Sequence, residues 1–204
     1  MLTGLEIYRF RGIRELKLDG LAQVNVLIGR NNVGKSSVLE ALYLASAAFE
    51  LRDPLKRGDK LTYLMNRRGE RGLRWEESRE VLWYGYDDSK DIRIVLKLRN
   101  NVLNVVLLRT HEHPMVALPK GLQCSYCLGE KVLKEVEELA PGLPAFAKAM
   151  MFIDAPLLRD IKRVEELLWT PLLERRLDKL VVETLSSGYG VAVEDLTYAP
   201  FGGV

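Results

Sequence analysis

Hydrophobic and polar positions alternate from the start of the chain. Leu2–Phe10 reads as a strand with Leu5 and Ile7 on its inner face and Tyr8 as a third candidate. Arg14–Leu18 alternates again, with Leu16 and Leu18 on one side, and the short turn at Arg11-Gly12 predicts that the two strands form an antiparallel pair. Gly20 turns the chain into Val24–Ile28, an apolar run that predicts a buried central strand. The period then lengthens. Ser36–Phe49, with Val38, Leu39, Leu42 and Leu44 and few breakers, predicts a helix.

Beyond a polar linker at 51–75, strands are predicted at Glu80–Tyr86, Asp91–Leu98 and Val102–Arg109. The last two form a hairpin around Asn100-Asn101. Glu130–Leu139 reads as a short helix stopped by Pro141-Gly142, and Ala149–Ile153 as a further apolar run. Two helices follow. One spans roughly Leu157–Trp169. The other has Thr170 as N-cap and Pro171 at its first position, and runs to about Ser186 before Gly188 closes it. Val191–Tyr198 is a final strand, and the chain stops at Phe201-Gly202-Gly203-Val204, where a strand or turn would continue. The fold class is α/β.

Length allows one large domain or two small ones among 204 residues, enough for a substantial core. A net charge of +2 does not by itself point to nucleic acid. No apolar stretch approaches 18 residues and no secretion signal opens the chain, so no membrane partner and a cytoplasmic location are expected. Much of the positive charge is local. Between residues 51 and 75 stand Arg52, Lys56, Arg57, Lys60, Arg67, Arg68, Arg71 and Arg74 against Asp53, Asp59 and Glu70. Such a run is either a surface for nucleic-acid phosphates or a solvated, partly helical linker.

The most specific chemistry lies at residues 29–37, Gly-Arg-Asn-Asn-Val-Gly-Lys-Ser-Ser, which has the form G-x-x-x-x-G-K-S of a phosphate-binding loop. The glycines let successive backbone N–H groups turn inward to phosphate oxygens. Lys35 is placed to reach the β- and γ-phosphates and the Ser36 hydroxyl to hold Mg²⁺. The helix that follows presents its positive end to the same anion. A strand before the loop and a helix after it are the context the motif requires.

Asn31, Asn32 and the doubled Ser36-Ser37 make this loop resemble those of the RecF-like, structural-maintenance-of-chromosomes and OLD-type ATPases, which are ABC-class P-loop proteins. Ile7-Tyr8-Arg9-Phe10-Arg11-Gly12-Ile13 is similar to that group's opening strand, and the close match covers about residues 1–50. A weaker resemblance, to archaeal predicted ATPases of the same class, continues through Phe152–Asp160 and the helices beyond. The resemblance implies ATP and Mg²⁺ as cofactors, with Gly29, Asn31, Asn32, Val33, Gly34, Lys35, Ser36 and Ser37 around the nucleotide and Ser36 on the metal. It also suggests Arg11 near the nucleotide. The alternative for Arg11 is a solvent-facing turn residue. Further implications are a homodimer or complementing ATPase half that closes over the nucleotide, and DNA as a partner in repair or defence.

Catalysis in that class also needs a strand ending in Asp-Glu, a serine-glycine signature from a second subunit and a late histidine. Met150-Met151-Phe152-Ile153-Asp154 has the form of the strand, but Ala155 stands where the glutamate belongs. Asp154 followed by Pro156 suits a helix cap better than a metal ligand. Leu185-Ser186-Ser187-Gly188 follows the candidate strand and ends a helix, the reverse of a signature's placing. The expectation is a phosphate-loop lobe with an antiparallel β region over residues 1–110 and a helical part with a final strand over 111–204. The second half of the ATPase is then expected beyond Val204 or in a separate chain, and no residue here is assigned a catalytic role. The rival reading is a non-catalytic module, with nucleotide structural or absent, that binds a protein or nucleic acid.

His111, His113, Cys124 and Cys127 are all the histidines and cysteines present. They could close a tetrahedral zinc site, the cysteines could form a reversible disulfide, or they could be plain loop thiols. Trp75, Trp83 and Trp169 read as core residues. Glu165-Glu166 and Glu174-Arg175-Arg176 read as solvated helix faces.

Overall fold

The alternation at the start of the chain becomes a register. β1 (Leu2–Phe10) and β2 (Ile13–Asp19) pair antiparallel, with Leu5 opposite Leu18 and Ile7 opposite Leu16. The other edge of β1 is taken by β5 (Ile92–Leu98), which in turn forms the predicted hairpin with β6 (Val102–Leu108). β7 (Met115–Ala117) and β8 (Gln123–Ser125) continue the sheet past residue 110, giving the order β2-β1-β5-β6-β7-β8 with antiparallel neighbours throughout. Leu5, Ile7, Ile92, Ile94, Leu96, Leu103, Val105 and Leu107 fill its inner face.

These facts come from a computed structural model, which describes residues 2–53, 55–56, 58–67, 75–99, 102–108, 115–117, 123–125, 134, 137–138, 141, 145 and 150–189. The turn at Asn100-Asn101, most of the helix expected at Glu130–Leu139, the strand Val191–Tyr198, linker residues Arg57, Arg68, Arg71 and Arg74, and His111, His113, Cys127 and the Cys124 side chain lie outside the described residues.

The predicted helix is α1 (Lys35–Ala47). Ala41, Ala45 and Ala48 recur along its inner side, all fully buried, and their small side chains let α1 pack closely into the same core as the sheet. A short β-ladder of β3 (Arg52–Asp53) and β4 (Gly58–Asp59) leads into α2 (Lys60–Asn66), whose N-cap Asp59 accepts a hydrogen bond from the Thr62 amide. α3 (Trp75–Ser78) follows. Trp75 and Trp83 meet edge to face in the core, as expected of them.

Two strand expectations fail. Glu80–Tyr86 forms two short 3₁₀ turns, Arg79–Leu82 and Tyr84–Tyr86, with one isolated bridge from Trp83 to Phe10. Gly85 and Tyr86 take positive φ, which an extended strand does not contain. Val24–Ile28 joins no ladder, and Val24, Val26 and Ile28 are 54%, 75% and 90% exposed. Both edges of β1 are occupied by β2 and β5, so the segment is not the central strand beside β1. The segment's backbone stays at the surface, where water can satisfy it.

The chain divides into two compact units, residues 1–53 with 57–152, and residues 54–56 with 153–204. The second is a run of short helices: α4 (Ala155–Arg159), α5 (Ile161–Val164), a π-helical turn at Glu165–Trp169, α6 (Thr170–Glu174) and α7 (Asp178–Tyr189). Asp154 caps α4 by accepting from the Leu157 amide and pairs with Lys56 at 3.0 Å, so the cap reading holds. Thr170 does not act as a cap, because Trp169 before it is already helical and the chain passes from the π turn straight into α6. Arg176 at positive φ ends that stretch, and α7 runs through Gly188 rather than stopping there.

Candidate phosphate-binding site

The loop between the exposed segment and α1 is shaped by its backbone. Gly34 is the N-cap of α1 with φ 95°, in the left-handed region that favours glycine. Gly29 has φ 156°, and a Cβ there would lie 3.2 Å from the Val33 side chain. Asn32 also takes positive φ, which asparagine tolerates better than most residues. No side chain caps α1 and no acid stands in its first turn. The first intrahelical bond runs from the Val38 amide to the Gly34 carbonyl, which leaves the amides before it to serve another acceptor.

A cavity of about 540 Å³ opens at this point, lined by Gly12 and by Asn31, Asn32, Val33, Gly34, Lys35, Ser36 and Ser37. Gly29 lies just outside this lining. Lys35 is folded onto the loop, its Nζ donating to the carbonyls of Gly29 at 2.7 Å and Arg30 at 2.6 Å. Ser36 is exposed into the cavity and Ser37 is buried beneath it. Left-handed glycine, uncapped amides, an ammonium group and an exposed hydroxyl are the donor set that suits a polyphosphate and its divalent cation. Lys35 and the loop amides would hold the phosphates and Ser36 the metal.

Arg11 is not among the lining groups. Its side chain is buried, with Nε 3.0 Å from Glu40 Oε2 and Nη2 donating to the Leu64 carbonyl at 2.6 Å. The solvent-facing reading of Arg11 fails because the side chain is buried. The turn after β1 instead supplies Gly12 to the cavity wall, and Ile13 lies where a Cβ on Gly34 would touch it. Glu40 and Gly12 were missed by motif reasoning. The signal for Glu40 is that it is the one acid in α1 and lies among apolar neighbours.

Three of the linker cations are spent inside the fold. Lys60 is fully buried on Ser46, and Lys56 pairs with Asp154. Arg67 donates to Glu40 Oε1 at 2.9 Å and lies over the rings of Tyr63 and Phe152. These three are therefore not a free phosphate-facing surface. Among the described residues no group of three or more His, Cys, Asp or Glu could hold a metal, and no helix is long and apolar enough to cross a membrane.

Residues 1–105 match the family described as AAA ATPase domain. Over 100 residues the chain is 36% identical to an uncharacterised protein of Methanocaldococcus jannaschii, covering 49% of this chain and 42% of that protein. Over 109 residues it is 30% identical to a Helicobacter pylori protein named ATP/GTP phosphatase, covering 50% of this chain and 26% of that one. Over 52 residues it is 42% identical to the DNA replication and repair protein RecF of Oenococcus oeni, covering 26% and 14%. The matched part thus spans less than half of each relative. The chain belongs to the AAA ATPase domain family, and its matched half is the N-terminal region of an ABC/RecF-like P-loop ATPase.

Proposed function

We propose that this chain is the Mg·ATP-binding lobe of a RecF-, SMC- or OLD-like ATPase that acts on DNA in repair or defence. The observation that carries the reading is the loop at 29–37, where Lys35 and the uncapped start of α1 face one open cavity. Gly29, Asn31, Asn32, Val33, Gly34, Lys35, Ser36 and Ser37 surround the nucleotide, with Ser36 on Mg²⁺. When bound, ATP supplies a phosphoanhydride that can be hydrolysed; this chain's groups bind and orient it. The relative named ATP/GTP phosphatase supports hydrolysis by the complete protein, and the RecF relative supports a role on DNA.

The phosphate loop belongs to the unit of residues 1–53 with 57–152, whose sheet runs past the expected boundary at 110, and the helices after residue 153 are the part to which the rest of the ATPase is added. Asp154 is engaged as a helix cap, and Ala155 cannot act as a base. The Asp-Glu strand, signature and sensor histidine come from a complementing half or from the same protein beyond this chain, in an assembly that closes over the nucleotide.

A thermal-shift titration with Mg·ATP tests this. Ligand that binds only the folded state stabilises it by RT ln(1 + [L]/Kd). Wild type is expected to shift upward and Lys35→Ala is not, while the chain alone hydrolyses ATP at the background rate. No shift, or an equal shift with Lys35→Ala, refutes nucleotide binding and favours the non-catalytic module. Robust Lys35-dependent turnover by the chain alone refutes the complementing half.

A further inference from the structure

We infer that Glu40 and Arg11 are positioning residues for the phosphate loop, a buried ion pair that sets the gap between the two walls of the cavity. One wall is the loop and the first turn of α1. The other is the turn after β1, where Gly12 lines the cavity directly beside Arg11. Glu40 stands on α1 three residues beyond Ser37, and its Oε2 lies 3.0 Å from Arg11 Nε, both side chains almost wholly out of water. The pair therefore joins the walls from below, while Ile13 packs toward Gly34 at the rim.

The link is braced on a third side. Arg11 Nη2 donates to the Leu64 carbonyl of α2, and Glu40 Oε1 accepts from Arg67 just beyond that helix. Arg11 itself sits at positive φ in the two-residue turn between β1 and β2. Its main-chain N–H is fixed as well, donating to the Leu82 carbonyl at 2.8 Å. Since a charge buried without its partner is costly, the pair holds together, and the loop and the turn are held with it. Arg11 thus acts on the nucleotide site through Glu40 and Gly12, without touching the ligand.

The affinity part of this inference rests on the nucleotide-binding reading; the geometric part does not. The test compares wild type with Arg11→Met/Glu40→Leu, which exchanges the ion pair for apolar groups of similar size. Urea unfolding reports stability. Amide hydrogen exchange at residues 29–37 without ligand reports the loop, and calorimetric titration reports Mg·ATP affinity. At unchanged global stability, exchange at 29–37 is expected to quicken about tenfold and Mg·ATP to bind about tenfold more weakly. Wild-type exchange and affinity in the double variant overturn the inference.

Should the double variant fail to fold, Glu40→Asp keeps the charge and shortens the link. Faster exchange confined to 29–37 then supports positioning, and wild-type exchange overturns it. If neither wild type nor Lys35→Ala binds Mg·ATP, the functional reading falls, while the exchange data still decide what Glu40 and Arg11 do.

Discussion

Helix α1 carries a lysine at each end of its environment, and the two do opposite things. At its N-terminus Lys35 lies at the open cavity, donating to the carbonyls of Gly29 and Arg30. Near its C-terminus Lys60 arrives from α2, fully buried, with Nζ 3.0 Å from Ser46 Oγ and over the Tyr43 ring. Ser46 passes the contact on by donating to the Tyr43 carbonyl, and the Tyr43 hydroxyl donates to buried Asp53. Burial pushes the Lys60 pKa down, and Asp53 and Glu50 oppose that shift. A cation near the carboxyl end of a helix is favourable in itself. The same functional group is available to a ligand where water and a cavity reach it, and is structural where burial has closed it off from both.

The largest way to break this contrast is Lys60→Ala. It leaves Asp53 buried without its nearby cation and opens a cavity, so the expected loss is about 3 kcal/mol, read from the urea midpoint. Mg·ATP affinity of the folded fraction should be unchanged, and a loss of affinity at full stability would erase the distinction. Lys35→Ala is the mirror image. Without nucleotide it should move stability by less than about 0.5 kcal/mol, because the ammonium group is solvent-accessible.

The smallest effect concerns the outer face of the sheet. Glu6 titrates below its ordinary value of 4.5 because the Tyr8 hydroxyl and then Lys97 hydrogen-bond to its carboxylate. A carboxylate depressed on folding adds stability above its unfolded pKa and loses it as pH falls through the folded one. Glu6→Gln should therefore melt slightly below wild type at neutral pH, and the two should converge as pH drops below 4.5. A gap that persists in acid would show the side chain's contribution to be packing.

The backbone shape of the loop at 29–37 was legible because it is set locally. Glycine positions, a lysine and two serines at fixed offsets specify a backbone shape with little help from elsewhere. The β1–β2 pair and the β5–β6 hairpin were legible for the same reason, since alternation over seven to nine residues settles which face is buried. Val24–Ile28 was misread because an apolar run states only that a segment can be buried. Whether it is the central strand beside β1 depends on which strands flank β1, and those are β2 and β5, the second of them more than eighty residues away in sequence. The Thr170 cap failed likewise: a cap signal loses its meaning when the chain enters already helical.

By itself, then, the sequence determined the local devices: the left-handed glycine, the lysine and hydroxyl of the loop, the alternation that makes β1 and the helical period that makes α1. Only the tertiary structure decided which charges are spent. Arg11, Arg67 and Lys60 look alike on paper, as exposed cations in polar stretches, yet Glu40 and Ser46 draw them inward. The reason is that burying a charge is a property of its surroundings, and those surroundings are assembled from segments whose meeting no local pattern records.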